Sequence, residues 1–265
     1  MAEPSSAQQR FLKKRQQKLR TVTLVRSLIF LAFLVLWEAS TRLHLIDAFI
    51  FSSPTRVVTT FMSMAADGSI FRHIGSTLLE TLVSFFLVFA VSLFSAMLLW
   101  LSRSLSRILE PYLVVLNSLP KSALAPLLIV WLGANTRTII VAGMSVAVFG
   151  SILTIYTGFS EVDPDKIKLI YTLGGKKRDV LLKVILPGSI PIFLNTMKVN
   201  IGLCLVGVII GEFIGSRQGL GYLIIYGSQV FQLDMVLMSI VILCIVAMCL
   251  YQAISAAERI YLKKL

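Results

Sequence analysis

Apolar residues along this chain fall into six long runs separated by short polar breaks. The runs cover roughly 24–43, 74–101, 112–132, 138–159, 190–211 and 235–256. Each approaches or exceeds the stretch of about 20 residues that a helix needs to cross a hydrocarbon layer. None alternates strictly, and all are too long for barrel strands. The pattern predicts an all-α membrane protein with about six transmembrane helices. It has no internal repeat and no soluble domain. A basic tail, residues 1–23, precedes a single transmembrane domain, residues 24–265. The first run follows basic residues, as a signal peptide would. It continues into Trp37-Glu38-Ala39-Ser40 without a small-x-small cleavage site, so it reads as an uncleaved span.

One break differs from the rest. Residues 160–187, SEVDPDKIKLIYTLGGKKRDVLLKVILP, are polar and dense in charge. Asp163 suits a helix N-cap, with Pro164 at the first position and Asp165 favourable to the dipole. Ile167, Ile170 and Tyr171 share one face at helical spacing. Gly174 suits the left-handed residue that stops a helix. Val180, Leu181 and Val184 restart an apolar stripe, and Pro187 ends the unit. A helix–glycine–helix unit between spans suits docking to a soluble partner. A plain solvated loop fits the same features equally well.

Composition agrees with a lipid-embedded core. The 265 residues are 57% hydrophobic and only 14% charged, against about 25% charged for a soluble domain. Mean hydropathy is +0.86. The basic residues are unevenly placed. With six spans, eighteen Lys and Arg fall on the side that holds both termini and the 160–187 loop, and five fall on the other. The positive-inside bias puts the termini and that loop in the cytoplasm. The same bias and anionic lipid account for the formal charge of +12. Nothing in the sequence then asks for a nucleic-acid partner.

Candidate chemistry is sparse. Cys204, Cys244 and Cys249 lie in apolar runs as small packing residues, with no disulfide or metal spacing. His44 and His73 flank the first external loop as ordinary polar residues. Lys121 stands mid-run in the third span, between Pro120 and Pro126. Proline frees backbone carbonyls, and broken helices often line a pathway. Lys121 could meet an anion in transit, snorkel, or pair with Glu80 or Glu110. Lys198, near the cytoplasmic end of the fifth span, fits snorkelling better. Asn117, Ser118, Asn195 and Asn200 offer neutral contacts to a solute or between helices. Glu38, Glu212 and Asp234 read as interfacial. Gly202, Gly207 and Gly211 allow close helix approach, in the core or between copies.

The motif carriers can now be set together. Gly174, nine residues, then Val184-Ile185-Leu186-Pro187 matches the G-x9-I-x-L-P half of a motif in permease subunits of bacterial ABC importers. Ser53-Pro54-Thr55, the run LEPYLVVLNSLPKSALAPLLIVWLG and the segment GEFIGSRQGLGYLI narrow the likeness. From about Leu34 to the C-terminus the chain resembles the nitrate/sulfonate/taurine-type permeases of the bacterial inner membrane. One departure is clear. The family motif opens Glu-Ala-Ala, and here those positions are Lys168, Leu169 and Ile170.

The resemblance implies a type I importer permease fold with a cytoplasmic coupling-helix loop. It implies two permease copies around the path, cytosolic ATPase subunits gripping the coupling helices, and an extracytoplasmic solute-binding protein. The coupling residues would be Lys168, Leu169, Ile170, Gly174, Leu186 and Pro187, and the path candidates Asn117, Pro120, Lys121 and Lys198. Gly215, Gly219 and Gly221 would lie in a short external re-entrant helix. ATP and Mg would be bound by the partner ATPase, because Gly174-Gly175-Lys176-Lys177 lacks the upstream glycine and the hydroxyl residue of a phosphate-cradling loop. The solute would be a small anion such as nitrate, taurine or another sulfonate, or a related organic compound, carried by alternating access. An ATP-independent transporter or channel is the alternative, but it gives the 160–187 unit no job. A membrane-embedded enzyme lacks paired carboxylates or an activated nucleophile.

Overall fold

A computed structural model describes residues 6–262. The first five residues, Lys263, Lys264 and the side chains of Arg10, Lys13, Lys14 and Arg15 lie outside the described residues. The chain divides after Ser63 into two compact units.

The first unit holds α1 (Ser6–Arg42), α2 (Ala48–Phe51) and most of α3 (Pro54–Ala66). α1 continues back through the basic segment, and residues 20–42 are long and apolar enough to cross a membrane. At its end, Glu38 pairs with Arg42 at 2.8 Å and accepts the Thr55 backbone N–H at 3.1 Å.

The second unit contains α4 (Ser69–Leu101), α5 (Arg103–Ser118), α6 (Lys121–Leu132), α7 (Thr136–Ser160), α8 (Pro164–Thr172), α9 (Lys177–Val180), α10 (Leu186–Gly188), α11 (Ile190–Gly215), α12 (Leu220–Gln229) and α13 (Leu233–Leu262). Among the described residues there is no strand. α4, α7, α11 and α13 are long and apolar enough to span. α7 packs between α4 and α11 at small residues. A Cβ on Gly143 would sit 2.6 Å from Ser84 Oγ, and one on Gly207 would sit 2.8 Å from the Gly143 Cα. Gly207 and Gly211 therefore serve contact with α7, whereas Gly202 faces open space. Hydroxyls join the same helices. Ser84 donates to the Ile140 carbonyl at 3.0 Å and Ser151 to Asn200 Oδ1 at 2.8 Å. Asn200 thus binds helix to helix.

The third run is not one straight span. α5 and α6 meet at 96°. Pro120 supplies the reason: it has no N–H, and it drives Leu119 out of the helical region to ψ 140°. Pro126 lies in the middle of α6, and the helix runs on through it.

Candidate functional site

The 160–187 unit forms as its local chemistry dictates. Asp163 caps α8 by accepting the Asp165 N–H at 2.9 Å, with Pro164 leading the helix. Gly174 takes φ +80°. The Gly175 N–H reaches the Ile170 carbonyl at 2.9 Å and the Gly174 N–H reaches that of Tyr171 at 3.0 Å, which makes a Schellman stop. Gly175 carries the tighter packing, and the sequence reading passed it over. A Cβ there would lie 2.5 Å from Ile170 Cγ2, while one on Gly174 meets nothing within 4 Å. α9 restarts the chain, with Asp179 accepting the Lys176 N–H at 2.9 Å. That backbone donor holds the Asp179 carboxyl below the ordinary aspartate range.

The helix then widens into a π-turn over Leu181–Ile185. The Leu186 N–H bonds to the Leu181 carbonyl, five residues back. Pro187 has no N–H and crowds the carbonyl four residues earlier, and the widened turn absorbs both defects. Pro187 therefore does not end the unit: the helical turns run on through α10 to Gly188, and α11 begins at Ile190.

This unit has an inner and an outer face. Ile167, Ile170 and Leu186 pack against the ends of α4 and α7 around Ala96, Ile155, Phe159, Val180, Leu181 and Ile185. Tyr171, expected beside Ile167 and Ile170, is instead 48% exposed, and Leu169 and Leu173 are exposed at 57% and 75%. Lys168 is also exposed, its Nζ 3.1 Å from Asp165 Oδ1. Lys177 reaches back to the bundle. Its Nζ donates to the Leu101 carbonyl at 3.0 Å and lies 5.4 Å from the Trp100 ring centre.

The path candidates separate. Lys121 is half-buried, and its amine returns to the Asn117 carbonyl at the break between α5 and α6. It does not pair with Glu80, whose buried carboxyl lies beside that of Glu212. The Asn117 side chain lies against Gly150 of α7, so α5 is held there as well. Lys198 does not snorkel. It pairs with Glu258 of α13, each side chain only about a fifth exposed (20% and 18%). Beside the pair is a cavity of about 540 Å³ lined by Gln252, Ser255 and Arg259.

The end opposite the 160–187 unit holds what the sequence reading missed most. Glu212 is not interfacial but fully buried. It accepts from Thr77 Oγ at 2.7 Å and from the Gly221 N–H at 2.6 Å, at the N-terminus of α12. The Leu220 N–H bonds Thr77 Oγ at 2.8 Å, and the Gly219 N–H bonds His73 Nδ1 at 3.1 Å. Glycine is required here. Gly219 has φ +108°, and a Cβ on it would lie 2.2 Å from Glu212 Oε1. Glu80 adds a second buried carboxyl beside Glu212. A glutamate at the end of an apolar run, followed by three glycines in ten residues, was the available signal.

Comparison with known proteins fits this geometry. The chain is 32% identical over 227 residues to a probable ABC transporter permease protein of Haemophilus influenzae, covering 86% of this chain and 92% of that one. It is 26% identical to the formylaminopyrimidine transport permease protein ThiX of Halalkalibacterium halodurans, over 74% and 78% of the two chains. It is 25% identical to the taurine transport system permease protein TauC of Escherichia coli, over 94% and 92%. The fold resembles an inward-facing structure of the MetNI methionine ABC transporter, with TM-score 0.64, 20% identity and coverage of 74% and 97%. Residues 88–260 match the model of the binding-protein-dependent transport system inner membrane component, and the chain belongs to that family of ABC importer permeases.

Proposed function

We propose that this permease moves its solute by alternating access, as a pair of copies driven by a cytosolic ATPase that grips residues 160–187. The observation that carries the proposal is the two-faced unit. Its inner residues fasten it to α4 and α7, while Leu169 and Leu173, four residues apart, stand exposed on the side away from Ile167 and Ile170. Exposed apolar residues grouped on a firmly seated helix are what a partner groove would cover. Lys168 places a cation where the family motif has an acid, so the facing groove offers an acid or a neutral polar group. Restoring Glu at Lys168 then weakens coupling. ATP and Mg bind to the partner, and both termini lie with the loop in the cytoplasm.

For the solute we favour a small anion. The support is Lys121, a half-buried side chain at the break between two helices, whose amine donates to the Asn117 carbonyl. The taurine-named relative points the same way, and the formylaminopyrimidine-named relative defines the competing class.

Reconstitution with its ATPase and binding-protein partners tests the proposal. Uptake of taurine, an alkanesulfonate, nitrate and a formylaminopyrimidine is compared with and without ATP. ATP-dependent uptake of one of the anions is expected, and it slows in Lys121→Ala. Uptake that proceeds without ATP contradicts the ATPase reading. Preference for the pyrimidine contradicts the anion reading alone.

A further inference from the structure

α4 is an unbroken helix of 33 residues. Thr77, near its start, and Leu101, at its end, are about 36 Å apart along the axis. Each end carries a polar joint to a different element. At the loop end, the Lys177 ammonium caps the last carbonyl of α4 and sits over Trp100. The carbonyl is one that no helix satisfies internally, and a cation is favoured there by the helix dipole. At the far end, the Thr77 hydroxyl bridges two groups. It donates to Glu212 of α11 and accepts from Leu220 of α12. Thr77 and Glu212 are both fully buried, so neither bond competes with solvent.

α12 has ten residues, too few to cross a bilayer, and lies between the far ends of α11 and α13. Three consecutive N–H groups at its start, those of Gly219, Leu220 and Gly221, are held by side chains of other helices. Glu212 takes the Gly221 N–H, Thr77 the Leu220 N–H and His73 the Gly219 N–H. Two of these three anchors, Thr77 and His73, stand on α4. The 215–218 turn that leads into α12 lines a cavity of about 410 Å³ with Ser76, Asn135 and Thr136. A shift of α4 along or about its axis therefore moves α12 and this cavity wall with it.

We propose that α4 is the strut linking the two sides of the permease. Lys177 fastens the coupling unit to one end of α4, and Thr77 fastens α12 to the other, so that movement of the 160–187 unit repositions α12. This rests on the reading of 160–187 as the coupling element. Lys177 and Thr77 are positioning residues that need not touch solute or nucleotide.

The test is hydrogen exchange, read by mass spectrometry on the segment containing Leu220 and Gly221. The permease is held in nanodiscs with its ATPase subunits, with and without ATP plus orthovanadate. In the wild-type complex, trapping changes exchange in this segment. In Lys177→Met the ATPase still co-purifies but the change is lost, and Lys177→Arg restores it. Thr77→Val speeds exchange at Leu220 roughly tenfold in every nucleotide state, the equivalent of one lost hydrogen bond; Thr77→Ser does not. A trapping response in Lys177→Met equal to that of the wild type overturns the strut, as does unchanged protection in Thr77→Val. Loss of the ATPase from Lys177→Met also overturns it, since Lys177 would then be a docking residue. A wild-type chain that retains no ATPase sinks the coupling reading, and this inference with it.

Discussion

The two ends of the helical bundle are built by different rules. The 160–187 unit is assembled from neighbours in sequence: an aspartate cap two residues from its donor, a Schellman stop spanning six residues and a π-turn beside a proline. The opposite end is assembled from strangers. Thr77 and Glu212 are 135 residues apart, and His73 and Gly219 are 146 apart. The first end presents apolar residues outward. The second buries two carboxyl groups. On the reading proposed above, a unit that seats against another protein keeps its own shape by local bonds, and a joint that transmits movement within one protein draws its polar groups from distant helices.

Gly219→Ala should do the greatest damage to the far end. The glycine-only backbone at φ +108° alone costs about 1–3 kcal/mol, and displacing Glu212 leaves buried donors unpaired at about 1–3 kcal/mol more. A drop in melting temperature of the detergent-solubilised permease of several degrees is expected, and a wild-type Tm would show that the glycine is dispensable.

At the loop end, Gly175→Val should cost more than Gly174→Ala, although Gly174 has the positive φ. Valine at 175 strikes Ile170 and forces repacking worth about 1–3 kcal/mol. Alanine at 174 has open space and meets only the backbone cost of about 1 kcal/mol. ATPase retention measured for both variants orders them, and the reverse order would locate the critical contact elsewhere.

That pair shows how far the sequence could be read. The spans, the Asp163 cap and the Gly174 stop were legible because period, cap and turn chemistry act over a few residues. The bend at Pro120 was visible as a proline, though its 96° angle was not. Gly175, the outward turn of Tyr171, the Lys198–Glu258 pair and the Glu212 clamp were not legible. Each depends on which distant element comes to face the residue, and spacing along the chain does not report that. Glu212 misled for a physical reason: a carboxyl at the end of an apolar run ordinarily sits at the interface, and the Gly221 amide and the Thr77 hydroxyl make its burial tolerable.

A smaller effect of opposite sign is expected from Glu80→Gln. The amide keeps the shape of the side chain and removes one of two adjacent buried carboxyls, while its NH2 can donate to Glu212. A stability gain of about 1 kcal/mol, seen as a raised Tm, is expected. A fall in Tm would mean that the second carboxyl is needed there.

The smallest effect belongs to Asp179. Its carboxyl titrates below the ordinary aspartate range because it accepts the Lys176 N–H. Its contribution is thus complete above that ordinary range and is lost as pH falls through the depressed value. Hydrogen exchange over residues 176–183 should rise only under such acid conditions in the wild type, and already at neutral pH in Asp179→Asn. Identical profiles would remove the cap from the account.

The most direct test of the central claim is ATPase co-purification with the wild type and with the pair Leu169→Asp and Leu173→Asp. Both leucines are exposed and lie outside the packed inner face, so the permease should keep its Tm. The wild type should retain the ATPase subunits and the double variant should lose them. Full retention by a well-folded double variant would contradict the assignment of residues 160–187 as the element that the ATPase grips.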